Sequence, residues 1–155
     1  MALPIEGVDL VAYDERGQAI LLAEVKNQRG KSNEWAAQFR RNMLAHGTLP
    51  PSPFFLIATP DHMHFWNQAD SDLAEPAPQF TMDATSELRP YFEKLGQTPG
   101  RLGGPAFEMV VFAWLNDLAE SGQARASEDP SLRWLSESGL LEALGRAHIS
   151  LGAVQ

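Results

Sequence analysis

Two short apolar segments joined by a polar turn constrain the fold of this chain more than any other feature. They are Val8–Asp14 and Ala19–Lys26, and Glu15–Gln18 lie between them. Apolar runs of this length, bounded by polar turn residues, are typical of β-strands joined as a hairpin. The sequence therefore predicts two antiparallel strands in which Asp14 pairs with Ala19 and Asp9 lies opposite Glu24.

This register would bring charged side chains together on one face of the hairpin. Side chains alternate between the two faces of a strand, so Glu24 and Lys26 share a face and Val25 points the other way. Opposed residues on paired strands have Cβ atoms roughly 4.5–5.5 Å apart, and like charges at that distance destabilise the pairing. A bound divalent cation would relieve the repulsion between Asp9 and Glu24. We therefore expect a metal site at these carboxylates.

Asp9, followed after a hairpin turn by Glu24-Val25-Lys26, resembles the active-site signature of the PD-(D/E)XK nuclease superfamily, which has the restriction-endonuclease-like fold. In that family the Asp and the triplet lie on adjacent strands and hold a divalent metal. The dipeptide in this chain is Val8-Asp9, where the family name has Pro-Asp. The resemblance covers the chain from about Val8 to Trp66.

The resemblance implies metal-dependent hydrolysis of phosphodiester bonds, with DNA as the expected substrate. Asp9 and Glu24 would ligate Mg²⁺ or Mn²⁺, together with the backbone carbonyl of Val25. Lys26 would orient or deprotonate the attacking water, or stabilise charge in the transition state. In many members the following helix carries a glutamine that faces the site, and Gln38 is the matching residue here.

Three basic residues near this segment are expected to contact nucleic-acid phosphates without reading bases. They are Arg29, Lys31 and Arg41.

One departure from the family concerns the helix that usually precedes the first strand and often supplies a further acid to the site. Only eight residues precede Asp9 in this chain, so that helix is expected to be absent. Three alternatives stay open. The C-terminal helix around Glu108 occupies the space, Glu6 supplies the acid, or the site is incomplete.

The segment after the hairpin predicts a polar loop and then a helix. Ser32 or Asn33 is suited to cap a helix over Glu34–Ala45, and Trp35, Phe39 and Met43 form its apolar stripe. At 100° per residue, Glu34, Gln38 and Arg41 lie together on a flank beside that stripe. This flank faces either the site or solvent.

The rest of the chain completes an α/β fold, predicted as one domain over residues 1–155. It combines a nuclease-like core at 8–67, with a mixed central sheet of about four strands, and a helical C-terminal third at 83–146. The further elements are strands at Phe54–Thr59 and His62–Asn67, a connection at Gln68–Met82, and helices at Asp83–Leu95, Pro105–Glu120 and Ser131–Arg146.

Composition limits the classes of function. The chain has no cysteine, which excludes disulfides and thiolate metal sites. No signal peptide or transmembrane run is evident, so we expect a cytoplasmic protein without a membrane partner. The net charge of −8 argues against a general nucleic-acid coat, but the excess of acids lies beyond residue 47.

The helix Pro105–Glu120 is apolar on nearly every side, which predicts burial. One explanation is an interface, since a nuclease that cuts both strands gains from two symmetric sites, and we expect a homodimer. The other explanation is a core helix that stands in for the missing first helix. An alternative function is a catalytically inactive, nuclease-like binding or assembly module that acts through its apolar C-terminal helices.

Overall fold

A computed structural model of the protein describes residues 8–46, 50, 52–67, 77–98 and 101–152. The strands are β1 (Leu10–Tyr13), β2 (Ala19–Val25), β3 (Phe54–Ala58), β4 (His62–Asn67), β5 (Phe80–Asp83) and β6 (His148–Leu151). The helices are α1 (Asn33–His46), α2 (Thr85–Leu95), α3 (Gly104–Glu128), α4 (Arg133–Glu137) and α5 (Leu140–Leu144), with a 3-10 turn at Pro130–Leu132.

The six strands form one mixed sheet in the order β5-β4-β3-β2-β1-β6. Only β2 and β3 are parallel, and α1 connects them, as expected for a crossover between parallel strands. The fold class is therefore α/β, as predicted. Among the described residues, no helix combines the length and the apolar character needed to cross a membrane.

Helices cover both faces of the sheet. The side chains on the α1 face form the smaller core, made of Val8, Val11, Leu22, Ala36, Phe55, Ile57 and Trp66. The opposite face packs against α2–α5 in the larger core, which includes Phe107, Trp114 and Leu115. Burial on both faces explains why β2 and β3 read as nearly continuous apolar runs.

The predicted strand count of about four was too low, because β5 and β6 are also part of the sheet. β5 lies at the end of the segment that was predicted to be a connection, and β6 follows the last helix. Each is a four-residue strand at an edge of the sheet. Such short edge strands carry little periodic signal, and their pairing partners decide their structure.

The register of the hairpin is as predicted for most of β1, since Leu10 pairs with Ala23 and Ala12 with Leu21. At the turn the prediction was wrong, because Tyr13, and not Asp14, pairs with Ala19. The irregularity directs Ile20 to the larger core, away from the face of Glu24. Asp14 instead closes the turn, where its Oδ1 accepts bonds from the amides of Arg16 and Gln18, both at 2.9 Å.

The C-terminal helices also differ from their predicted bounds. α3 ends at Glu128 and not at Glu120, where the predicted helix ended. The single helix predicted at Ser131–Arg146 is divided into α4 and α5 at Gly139, whose φ of +88° is left-handed. A sequence pattern of buried leucines persists across this break, which is why one helix was predicted.

α2 begins at Thr85 and not at Asp83, because Asp83 is the last residue of β5. The Asp83 Oδ1 accepts a hydrogen bond from the Thr85 amide at 2.8 Å and so marks the boundary. Pro90 lies inside α2.

The start of α1 is fixed by two polar residues. The Ser32 Oγ accepts a hydrogen bond from the Trp35 amide at 3.1 Å, which confirms the predicted cap. The Asn33 Oδ1 accepts a bond from the Thr81 hydroxyl at 2.8 Å and lies 2.8 Å from the Nδ1 of His64. These bonds attach the first turn of α1 to β4 and β5.

His64 is a buried neutral histidine at this attachment, with a side chain only 1% exposed. Burial, together with the neighbouring charge of His62, lowers the pKa of His64 from 6.5 to about 4. Its Nε2 has no hydrogen-bond partner among the described residues. Protonation would therefore place a charge in a buried position, where the negative charge of Asp61 offsets its cost only in part.

We expect His64 to make the fold sensitive to acid. The pKa of His64 is lower in the folded protein than in the unfolded chain, so its contribution to stability is lost as pH falls from 6.5 towards 4. His64→Gln should flatten this dependence by about 1–3 kcal/mol, as measured by urea unfolding across that pH range. His148→Gln, on an exposed strand residue, is the control, and identical curves for all three proteins would contradict the prediction.

Candidate metal site

The structure places Asp9 and Glu24 side by side at the end of the hairpin. Asp9 directly precedes β1, and because Leu10 pairs with Ala23, Asp9 lies opposite Glu24. The Asp9 Oδ2 accepts a hydrogen bond from the Val25 amide at 2.7 Å. The Asp9 carboxylate thus takes the position of a backbone acceptor where the β1–β2 ladder ends.

The hydrogen bond from the Val25 amide to Asp9 also defines the direction of the Val25 carbonyl. The N–H and C=O groups of one strand residue point to the same neighbouring strand. Since the Val25 amide points to Asp9, its carbonyl oxygen lies on the side of Asp9 as well. The predicted set of oxygen ligands, from Asp9, Glu24 and the Val25 backbone, is therefore compatible with the strand geometry.

Glu24 is a buried carboxyl group, only 5% exposed under α1. Its pKa is raised from 4.5 to about 9, first by burial and then by the hydrogen bond and charge of Asp9. The positive charge of Lys26 acts in the opposite direction. Without a cation, the protonated form of Glu24 is therefore favoured at neutral pH, and its side chain is hydrogen-bonded to Asp9.

Glu108 of α3 is the third acid near this pair. Its pKa is raised by burial and by the negative charge of Asp9, and its own charge contributes to the raised pKa of Glu24. Of the two residues considered as a further acid, Glu6 lies outside the described residues. Within the described ranges, no group of three or more His, Cys, Asp or Glu side chains is arranged to hold a metal ion.

The arrangement of the three acids determines how well the site fits a divalent cation. Asp9 and Glu24 provide adjacent hard oxygen donors, and their mutual repulsion would be removed by a cation between them. The negative charge of Glu108 raises the pKa of Glu24, but among the described residues Glu108 does not join the pair as a third ligand. The residues therefore fit a cation held by the two carboxylates and a backbone carbonyl, with water in the remaining positions.

Lys26 follows β2 on the same face as Glu24. Its backbone amide donates to the carbonyl of Ala58 at 2.9 Å, which continues the pairing of β2 with β3. Its Nζ lies 4.7 Å from the centre of the Phe39 ring on α1. Lys26 thus lies over the Phe39 ring, and its positive charge acts on the Glu24 carboxyl group.

Gln38 and Arg41 lie on a different flank of α1. Both are exposed, and together with Asn33, Glu34, Ala37 and Ala77 they line a shallow groove. Asn33 on this flank bonds to β4 and β5, whereas Phe39 on the other flank contacts Lys26 of β2. The structure therefore does not bring Gln38 or Arg41 together with Asp9 and Glu24.

The loop between β2 and α1 carries the other two basic candidates. It is fixed by a bond from the Gly30 amide to the Asp61 Oδ2 at 3.0 Å, and Gly30 has a left-handed φ of +73°. Arg29 is exposed, and the Nζ of Lys31 lies 5.6 Å from the centre of the Trp35 ring. Arg29 and Lys31 therefore both lie on the loop that connects β2, which ends at the site, to α1.

Two residues that position the site were missed by the sequence analysis. Asp61 anchors the basic loop through Gly30, and the Gly152 amide donates to the carbonyl of Asp9 at 2.7 Å. A Cβ atom on Gly152 would lie 1.7 Å from the carbonyl oxygen of Val8, so only glycine fits. Recognising Gly152 would have required the prediction of β6.

Comparisons with known proteins found no match to a family model, to a curated protein or to a solved structure. The resemblance to the PD-(D/E)XK nucleases therefore depends on the residues Asp9, Glu24, Val25 and Lys26 and on their arrangement. Membership in that superfamily stays a prediction.

We expect Glu24→Gln to stabilise the metal-free protein. Because the pKa of Glu24 is higher in the folded state, its stabilising contribution is present below pH 4.5 and is lost as pH rises towards 9. Glutamine carries no ionisable proton, so at pH 7 the variant should be more stable by about 1–3 kcal/mol in urea unfolding with chelator. The exposed Glu34→Gln is the control. A destabilised Glu24→Gln would instead indicate a structural ion pair with Lys26.

Gly152→Ala tests how the backbone of Asp9 is held. The added methyl group would displace the chain at Val8 and Asp9, and overpacking of this kind costs about 1–3 kcal/mol. Thermal unfolding should show the loss, and binding of Mn²⁺ should weaken with it. Gly104→Ala at the start of α3, where nothing lies within 4 Å, should change neither quantity. Equal behaviour of the two variants would contradict this role of Gly152.

Proposed function

We propose that this protein is a divalent-metal-dependent nuclease that hydrolyses phosphodiester bonds, with DNA as the expected substrate. The observation that carries the proposal is the buried Glu24 carboxyl group beside Asp9, with Lys26 on the same face. Burial of one acid in contact with another destabilises a fold, and such arrangements concentrate at functional sites.

Asp9, Glu24 and the Val25 carbonyl would hold Mg²⁺ or Mn²⁺, since these ions prefer hard oxygen ligands. The ion supplies an activated water nucleophile and neutralises charge on the phosphoryl group. Glu24 would lose its proton when the ion binds, because the cation reverses the electrostatic cause of its raised pKa. The contribution of Glu108 would be a negative charge that strengthens the attraction of the site for a cation.

Lys26 would donate hydrogen bonds to the reacting phosphate group. Its ammonium group is held near Glu24 by the backbone pairing of Lys26 with β3 and by the Phe39 ring. A fixed donor stabilises the charge that develops in the transition state without reorganising. Orientation of the attacking water by Lys26 is the other role compatible with this position.

Phosphates that flank the cleaved bond would contact the loop residues Arg29 and Lys31. Arg41 would contact the nucleic-acid backbone only where the strand extends across α1, because it lies on the far flank with Gln38. We assign no catalytic role to Gln38, since it is exposed in that groove.

The proposal predicts cleavage that depends on Mg²⁺ or Mn²⁺ and on three side chains. Asp9→Asn, Glu24→Gln and Lys26→Met should each lower the rate of cleavage of plasmid, linear duplex and single-stranded DNA by at least about 100-fold. The ions should also raise the melting temperature of the wild type but not of Asp9→Asn. Glu34→Gln, which removes an exposed acid of α1, should keep full activity.

Wild-type protein that cleaves none of these substrates at millimolar Mg²⁺ and Mn²⁺ would contradict the enzymatic proposal. If Mn²⁺ nevertheless binds, the chain would fit the alternative of an inactive, nuclease-like binding module. For that alternative, an interface on α3 would use the side chains that the core leaves accessible, because most apolar side chains of α3 are buried inside the chain.

The homodimer stays a prediction, and the burial of α3 weakens the reason for it. Trp114, at the centre of the apolar helix, is fully buried and its Nε1 donates to Glu87. Among the described residues of α3, Met109 is the large apolar side chain that is exposed, at 49%. The core-helix explanation therefore accounts for most of the apolar pattern without a partner.

Light scattering at tens of micromolar protein, with and without metal and DNA, tests the assembly. A dimer that uses α3 should dissociate in Met109→Glu and persist in Leu95→Glu, which changes an equally exposed side chain on α2. A monomer mass under all conditions would end the dimer prediction.

A further inference from the structure

Two lysines and two aromatic rings form a continuous strip on α1 and the loop before it. The centres of the Trp35 and Phe39 rings are 5.6 Å apart. Lys31 lies over the Trp35 ring at 5.6 Å, and Lys26 lies over the Phe39 ring at 4.7 Å. We call these four residues the aromatic strip. It begins at Lys26, which follows Glu24 by two residues and so lies on the same face of the sheet.

The rings of the strip border solvent. Both Trp35 and Phe39 are only partly buried and pack against the smaller core from outside, whereas Trp66 fills its interior. A lysine ammonium group stays hydrated, so its position over a ring marks a face that solvent reaches. The Trp35 ring therefore offers an aromatic surface that the core does not use.

The charges around the strip favour an anionic ligand. Arg29 is exposed on the same loop, and the bond between the Gly30 amide and Asp61 fixes that loop in place. Glu34, the nearest acid in sequence, lines the groove on the other flank of α1 with Gln38. Lys26, Arg29 and Lys31 outnumber the Asp61 carboxylate at this loop, and in a chain with a net charge of −8 this group of cations favours a polyanion.

We propose that the aromatic strip binds unpaired nucleotides and leads a single strand of nucleic acid to the carboxylates of Asp9 and Glu24. A base stacks on Trp35, Lys31 moves from the ring to a backbone phosphate, and Arg29 contacts the next phosphate. Aromatic side chains on which bases stack, together with neighbouring cations, are the usual means of binding single strands without sequence preference. A duplex cannot use Trp35 in this way unless a base leaves its stack, which costs a few kcal/mol. The inference deepens the proposed nuclease function and rests on it for the place where the strand is cut.

Fluorescence anisotropy in metal-free buffer measures this binding separately from cleavage. The probes are a labelled single strand of about 12 nucleotides, the duplex of the same sequence, and the RNA strand. We expect the single strand to bind more tightly than the duplex. Trp35→Leu should weaken single-strand binding by roughly 5-fold to 100-fold, and Trp35→Phe should keep most of it, because only phenylalanine preserves stacking.

Two further variants keep the test decisive if Trp35→Leu does not fold, which thermal unfolding would show. Lys31→Ala should weaken single-strand binding and make it less dependent on salt. Lys94→Ala, which removes an exposed lysine of α2, should leave it unchanged. RNA bound as tightly as DNA would extend the substrate class to both, and weaker binding of RNA would assign DNA.

The outcomes separate this inference from the proposed function. Equal binding of single strand and duplex, or equal affinities of Trp35→Leu and Trp35→Phe, would overturn the aromatic strip while the metal-dependent cleavage stands. Single-strand binding through Trp35, without cleavage in Mg²⁺ or Mn²⁺, would overturn the nuclease and leave the strip as a binding site.

Discussion

The hydrogen bond between the Asp9 carboxylate and the Val25 amide is the contact on which the rest of the site depends. It ends the β1–β2 ladder with a side chain and so keeps Asp9 beside Glu24, whose burial raises its pKa to about 9. The bond from the Gly152 amide to the Asp9 carbonyl holds the same residue from the other side. Asp9 is therefore fixed by β2 and by the end of β6 at once.

The layers of the fold explain why this pair of acids costs stability. α1 covers the face of the sheet that carries Glu24, so the carboxyl group is removed from water next to a second acid. α3 brings Glu108 to the same end of the sheet and adds to the negative potential. The positive charge of Lys26 offsets only part of this negative potential. A divalent cation would offset the remainder, which is the physical reason for the proposed function.

Much of the sheet could be predicted from the sequence, because strands buried on both faces leave long apolar runs. β4 was predicted with its observed bounds, and the register of Leu10 with Ala23 followed from the hairpin. β5 and β6 could not be found in this way, since short edge strands are defined by their neighbours. The irregularity at Tyr13 depends on how Asp14 bonds to the turn, and alternation alone does not predict it.

The candidate site could likewise be predicted only in part from the sequence. Asp9, Glu24 and Lys26 were predicted to lie together because the two-residue period of a strand fixes their faces. Gln38 was placed by resemblance, but the rotation of α1 is set by the packing of Ala36 and Phe39 and by the bonds of Asn33. Glu108 was one of three open alternatives, and its distance from Asp9 in the chain made the choice depend on tertiary packing.

The most direct test of the metal site is the anomalous scattering of Mn²⁺ in crystals of the protein. We predict a single strong anomalous peak between the carboxylates of Asp9 and Glu24, with metal–oxygen distances of about 2.0–2.4 Å. The peak should be lost in Asp9→Asn crystals grown in the same solution. Wild-type crystals at millimolar Mn²⁺ that show no peak there, with Glu24 still bonded to Asp9, would contradict the account.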